Sequence, residues 1–198
     1  FGAKVLHPRT VEPARERNIV IRVKNVFEPE KEGTTIEPGG IEMGGTIKSI
    51  SCMRNLAIVK AFGAGAGYKT GVMYEISQRL SDAGVNIYSA ATSQTCVALL
   101  IEKKHLSGAK RVLADLKRGI IDRIEAVDDI ALLCVVGEGL GYRKGIAARV
   151  FSAVSKEDVS VGMISAGASM VAYHFTVDMK DLERTTRAIH SEFFGVRQ

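Results

Sequence analysis

The sequence predicts an α+β fold in which two copies of one βαββαβ unit pack as a pair. Three observations predict it. An eight-residue phrase recurs: Gly65-Ala66-Gly67-Tyr68-Lys69-Thr70-Gly71-Val72 returns as Gly139-Leu140-Gly141-Tyr142-Arg143-Lys144-Gly145-Ile146, an offset of 139 − 65 = 74 residues. Self-similarity at a fixed period marks a repeated structural unit. The same succession of strand and helix patterns surrounds both phrases, and one unclaimed apolar run stands ahead of the first copy.

Each element follows from its pattern. Apolar β-rich runs lead into the glycine phrases, Leu56 to Phe62 in the first copy and Ile130 to Val136 in the second. Val72 to Ala83 then carries Ile76 and Leu80 at helical spacing, and Ile146, Val150 and Val154 repeat that spacing. Gly84 and Asp158 mark turns. Short strands follow at Val85 to Tyr88 and Val159 to Ile164, then longer ones at Thr95 to Ile101 and Met170 to Val177. Second helices are expected at Leu106 to Lys117 and Leu182 to Phe194. Ile121 to Val127 completes the first copy as a ferredoxin-like unit. The second copy lacks one strand, and the free run Ile47 to Met53 can supply it, which nests the first unit inside the second. The offset is expected to hold without a gap, with Val85-Asn86-Ile87 on Val159-Ser160-Val161 and Val97-Ala98 on Val171-Ala172.

Residues 1–45 are of another kind. All four prolines, Pro8, Pro13, Pro29 and Pro38, lie there. Val11 to Arg17 reads as a short helix, Ile19 to Asn25 as a strand, and 28–45 as a linker rich in Pro, Glu and Gly. The expected organisation is 1–45 as a tail and linker, 55–127 as the first unit, and 46–54 with 128–198 as the second.

Composition narrows the function. The chain has 198 residues, a net charge of +5 and a pI near 9.2, but its basic residues are interleaved with acids and form no stripe. A mixed-charge solvated surface accounts for this better than a nucleic-acid footprint. No apolar run approaches the roughly 20 residues a membrane helix needs, and no signal-peptide core is present. Cys52, Cys96 and Cys134 stand apart without CxxC spacing, so neither a disulfide scaffold nor a metal site is expected, and a reducing cytoplasm fits. The four histidines are scattered, and no catalytic constellation emerges.

The glycine phrases are the candidate site. Lys69-Thr70 resembles the end of a phosphate loop, but Tyr68 stands where that motif needs Gly, and no apolar run ends in a metal-holding Asp. Gly63, Gly65 and Gly67 also lack dinucleotide-fold spacing. Two readings remain open. The glycines allow a tight strand-to-helix turn and nothing more, or the free N–H groups of the helix start hold a ligand carboxylate. In the second reading a free amino acid binds there, with carbonyls of Asn86 to Tyr88 taking its ammonium.

The opening residues bear on that choice. Phe1-Gly2-Ala3-Lys4-Val5-Leu6-His7-Pro8-Arg9-Thr10, Ile21-Arg22-Val23-Lys24-Asn25 and Gly33-Thr34-Thr35-Ile36 closely resemble the end of the catalytic domain of aspartate kinases. In that family two ACT domains follow, and the tandem βαββαβ repeat looks like that pair, with the first nested in the second. The resemblance covers essentially the whole chain.

The resemblance implies a regulatory module for an enzyme that uses ATP, with Mg, to convert L-aspartate to 4-phospho-L-aspartate. It places Lys4 and Val5 beside ATP. The family's Lys-Phe-Gly-Gly-Thr-Ser segment is not in this sequence, so the chain alone is expected to be inactive and to need no cofactor; its partners would be the catalytic kinase domain and a second copy joined through the ACT sheets. An end-product amino acid, threonine or lysine, is the implied effector. By match its pocket takes in Gly65, Ala66, Gly67, Tyr68, Gly71, Val72, Asn86, Ile87, Tyr88 and Gln94 of the first unit. The second unit offers Gly139 to Ile146 and Ser160-Val161. Lysine-sensing members often carry Asp where Tyr88 stands and Glu where Gln94 stands. Without those carboxylates an ε-ammonium loses charge-assisted bonds worth about 1.5–3 kcal/mol each, which favours threonine. Ala172 standing where an effector-binding Asn is usual weakens the second site. The competing expectation is a dimerisation platform with no effector bound.

Overall fold

The computed structural model describes residues 6, 8–37, 46–117 and 121–195. The chain divides into two compact units, residues 2–45 and residues 46–198.

The smaller unit holds helix α1 (Pro8–Glu16) and a two-stranded ladder of β1 (Ile21–Val23) and β2 (Thr34–Ile36). Asn18 ends α1 in a left-handed conformation (φ 53°), and Ile19 N–H reaches back to the Ala14 carbonyl at 2.8 Å. That is the usual way an asparagine closes a helix. The expected linker therefore contains a strand: Thr34–Ile36 pairs with β1, which is also shorter than the 19–25 run suggested. The rest of that linker, 38–45, lies outside the described residues, as do Lys4 and Val5.

The larger unit is one six-stranded antiparallel sheet in the order β4-β5-β3-β6-β8-β7. Its members are β3 (Ile47–Phe62), β4 (Ser89–Ser93), β5 (Cys96–Glu102), β6 (Arg123–Gly137), β7 (Ile164–Ser165) and β8 (Ala172–Asp178). Helices α2 (Val72–Asp82) and α3 (Leu106–Ala114) belong to the first copy, α4 (Ile146–Lys156) and α5 (Leu182–Phe194) to the second. The expected α+β pair of βαββαβ units is present, but two pairs of expected strands are fused. Leu56 to Phe62 continues from Ile47 to Met53 as β3, and Arg123 to Val127 continues into the second copy as β6. Ile47 to Met53 pairs with 132–137 of β6, so the second unit takes its fourth strand from ahead of the first.

The two long strands change faces where they pass between the units. Met53 pairs with Leu132, Leu56 with Ile130 and Ile58 with Val127. One extra residue thus sits on β3 between the first two pairs, and one on β6 between the last two. The left-handed residues of these reciprocal bulges are Asn55 (φ 59°) and Asp129 (φ 56°), again 74 apart (129 − 55). Side chains alternate faces with period two, so a one-residue bulge swaps the inward set. Ile50 and Cys52 pack toward α4 and α5, while Ala57, Val59 and Ala61 lie on the side of α2 and α3. The bare faces then meet, burying Leu56, Ile58, Leu100, Ile130 and Leu132 in a third apolar cluster between the copies.

The repeat carries an insertion. The offset is 74 through the first helix of each copy (146 − 72), but the next full strands start at Cys96 and Ala172, an offset of 76. Leu56 pairs with Glu102 and Ile130 with Asp178, which confirms the larger offset (178 − 102 = 76). Two residues enter between β7 and β8. Val97-Ala98 therefore does not correspond to Val171-Ala172; Ala172 answers to Cys96. The expected strands at 85–88 and 159–163 are irregular instead. Tyr88 N–H and Gly162 N–H still bond the neighbouring strand, at the Leu100 and Thr176 carbonyls, as the entries to β4 and β7.

Candidate functional site

The two glycine loops are built alike at their ends. Gly63 N–H donates to the Thr95 carbonyl at 3.0 Å, and Gly137 N–H to the Val171 carbonyl at 2.9 Å. Lys69 N–H closes a turn onto Gly65 at 2.8 Å, and Arg143 N–H onto Gly139 at 3.0 Å. Gly71 (φ 89°) and Gly145 (φ 82°) start α2 and α4 in the left-handed region, where glycine pays no Cβ penalty. Neither helix start has a side-chain cap. Each leaves a helix N-terminus whose orphan donors are open to a ligand or to water.

In the first unit the loop lies directly on the following hairpin. A Cβ at Gly67 would fall 1.6 Å from the Ser93 carbonyl oxygen, so only glycine fits. Ala66 and Val72 are buried in the apolar core beneath α2. Tyr68 is 75% exposed, and Gln94 is exposed at the hairpin tip. Among the described residues no hydrogen bond takes the Gly67 N–H or the Ala66 carbonyl. Gly67 is partly exposed, so the loop presents a donor, while the Ala66 carbonyl is buried with its residue.

Asn86, Ile87 and Tyr88 lie elsewhere. They follow α2, whose eleven residues span about 16 Å. Gly65, Ala66, Gly67, Tyr68, Gly71, Val72 and Gln94 gather at one end of the unit, and Asn86, Ile87 and Tyr88 at the other. Ile87 packs on the core under α2, and Tyr88 packs into the cluster between the copies. The Tyr88 hydroxyl donates to Glu102 at 2.8 Å, and Lys104 pairs with the same carboxylate at 2.5 Å. Its hydrogen bond to that carboxylate holds the Tyr88 phenol above its ordinary pKa. Hydrogen bonds from Lys104 and then Tyr88 hold Glu102 below the usual carboxylate range. Sequence reasoning missed Glu102; the signal was the Glu102-Lys103-Lys104 run closing an apolar strand.

The second loop is exposed but bonded differently. Gly141 N–H donates to the Met170 carbonyl at 3.2 Å, and a Cβ at Gly141 would meet the Met170 Cε at 2.3 Å and Sδ at 3.1 Å. The buried Tyr173 hydroxyl donates to the Leu140 carbonyl at 2.6 Å. By the offset of 76, Met170 answers to Gln94 and Tyr173 to Val97. Neither residue was singled out from sequence as a site residue, because the gap-free alignment hid both correspondences.

Beyond the loops, a groove of about 700 Å³ runs along α4 and α5, lined by Lys156, Arg184, Arg187 and Glu192 among others; no residue of either loop lines it. Among the described residues no group of three or more His, Cys, Asp or Glu is placed to hold a metal, and no helix is long and apolar enough to cross a membrane.

Comparison with known proteins gives this geometry a family. An ACT domain model matches residues 133–193, within the second unit. The chloroplastic bifunctional aspartokinase/homoserine dehydrogenase 2 of Zea mays is 32% identical over 98% of this chain and 22% of its own length. The crystal structure of aspartate kinase from Clostridium acetobutylicum superposes with a TM-score of 0.86 at 30% identity, over 97% of this chain and 45% of that one. The chain belongs to the regulatory regions of aspartate kinases. E. coli aspartokinase III in complex with lysine and aspartate matches a regulatory region like this one over 98% of this chain and 43% of its own, with a TM-score of 0.80 at 26% identity. This regulatory region spans about a quarter of the length of the bifunctional relatives it matches.

Proposed function

We propose that this regulatory region senses an end-product amino acid at the first glycine loop and lowers the activity of the kinase to which it belongs. That kinase would phosphorylate L-aspartate with ATP and Mg, with Lys4 and Val5 beside the nucleotide. The observation that carries the reading is the Gly67 N–H, which no group among the described residues takes, beside an uncapped helix start. An α-amino acid offers the matching carboxylate. The lysine bound by the E. coli relative supports the ligand class.

A second copy completes the pocket. β4 is an edge strand of small residues, Ser89-Ala90-Ala91-Thr92-Ser93, without the charges or proline that usually protect an edge. Two β4 edges side by side run antiparallel, which sets the start of one beside the end of the other. The partner's Asn86 to Tyr88 then meets this chain's glycine loop, joining residues that one copy holds apart. Tyr88 spends its side chain on Glu102 and Gln94 is neutral, which supports threonine over lysine.

Calorimetric titration with threonine and then lysine tests this. One threonine site per chain, with weaker lysine binding, is expected. A dimer that binds neither at millimolar concentration would leave the dimerisation platform as the better account, since both β4 edges would then serve assembly alone.

A further inference from the structure

We propose that the face formed by α4 and α5 packs against the same face of a second copy, as a weak two-fold contact separate from the β4 edge. By the offsets of 74 for the first helix of each unit and 76 for the second, the helix faces of the two units can be matched residue by residue. In the first unit the helices are bridged: Arg79 of α2 pairs with Asp115 at the end of α3 at 3.9 Å. Ala153 and Ser191 stand at those positions in the second unit, and Ala188 stands where the first has Val112. All three line the groove of about 700 Å³ between α4 and α5. Short side chains replace the bridge, so another helix can come close there.

The charges of the groove identify its occupant. A patch that meets itself across a two-fold axis must carry both signs, because a patch of one sign repels its copy. Glu157 and Glu183 stand here among Lys156, Lys180, Arg184 and Arg187. Arg184 is held by Asp181 at 2.7 Å and Arg187 by Glu183. Arg149 holds Glu192 at 2.7 Å and lies over the Phe193 ring, 4.5 Å from its centre, so that wall is fixed before a partner arrives. Lys156 and Glu157, at the end of α4, have no hydrogen bond or ion pair among the described residues. Neighbours of opposite sign answer each other across a two-fold axis: Lys156 meets the partner's Glu157, and Glu157 meets the partner's Lys156. A partner of a single sign would set one of the two against its like. α5 is about 20 Å long, and two helices side by side are about 20 Å wide, so the contact covers roughly 400 Å² of each copy. That is half the roughly 800 Å² per partner of a standard interface, so the association is weak and depends on concentration.

Sedimentation velocity of the whole chain tests this in an Ala91→Lys background, where the added charge opposes β4 pairing and leaves the helix face to join copies. Mass is expected to rise from one copy toward two between about 10 μM and about 1 mM. Ala153→Arg with Ser191→Asp gives the second unit the bridge of the first, and is expected to weaken association at least tenfold. Lys156→Glu and Glu157→Lys each set like charges across the axis, and each chain alone is expected to stay monomeric. Mixed in equal amounts, those two chains are expected to associate as the background chain does, a rescue that a folding defect cannot produce. A background chain that stays monomeric, groove variants that associate unchanged, or a mixture that stays monomeric overturns the proposal. If Ala153→Arg with Ser191→Asp fails to fold, the mixed pair decides alone. No arm contains an amino-acid ligand, so failure here leaves the sensor reading standing.

Discussion

The two glycine loops share a sequence phrase, a left-handed cap and an eleven-residue helix, yet the hairpin that follows treats them differently. In the first unit the hairpin backbone lies on Gly67 and leaves its N–H without a partner among the described residues. In the second a longer hairpin lays a side chain on Gly141 and takes both polar groups. The lesson concerns duplicated units. A motif can keep its turn while the groups beside it are bonded differently, here through a longer hairpin and a tyrosine standing where the first unit has Val97.

The contrast breaks most visibly under a single methyl group. Gly67→Ala sets a Cβ on a backbone oxygen, which cannot move without shifting the hairpin. The expected loss is about 3 kcal/mol, at the upper end of overpacking costs. Gly141→Ala meets the far end of a flexible, partly exposed methionine, with the nearest backbone atom at 3.7 Å. Its space is made by a rotamer change, and the expected loss is under about 1 kcal/mol. Urea midpoints of the two variants check this, and equal losses would show that the loops are packed alike.

Acid sharpens the same comparison with a smaller effect. His174 lies in the second unit, across the ladder from Cys134 and Ser165, and its counterpart in the first is Ala98 (174 − 76). Burial holds the His174 imidazole below its ordinary pKa. As pH falls below about 6.5, the unfolded chain takes up a proton that the folded chain resists. Stability is therefore full above that pH and declines beneath it. Hydrogen exchange at pH 7.5 and 5.5 should show β8 losing protection before β5, and His174→Gln should remove the difference. Equal loss in both strands would place the acid sensitivity elsewhere.

Much of this architecture was legible in the sequence, because a 74-residue repeat of apolar periods leaves few arrangements. Ile47 to Met53 was identifiable as a candidate for the second unit's missing strand because it was a free apolar run just ahead of the first copy. The reciprocal bulges were less legible, since Asn55 and Asp129 are ordinary residues until the register shows each standing one extra in its strand. The insertion was masked by a coincidence: Val-Ala stands at both 97–98 and 171–172. That coincidence also hid Met170 and Tyr173. The separation of Asn86 to Tyr88 from the glycine loop was implicit in the predicted order, because a strand-helix-strand path returns to the opposite end of the sheet.

The most direct measurement follows backbone amides by NMR while threonine is added to the chain. The account predicts shifts at Gly65 to Val72, Asn86 to Tyr88 and Gln94, with Gly139 to Ile146 unmoved. Shifts centred on Gly139 to Ile146, or none anywhere at saturating threonine, would contradict it.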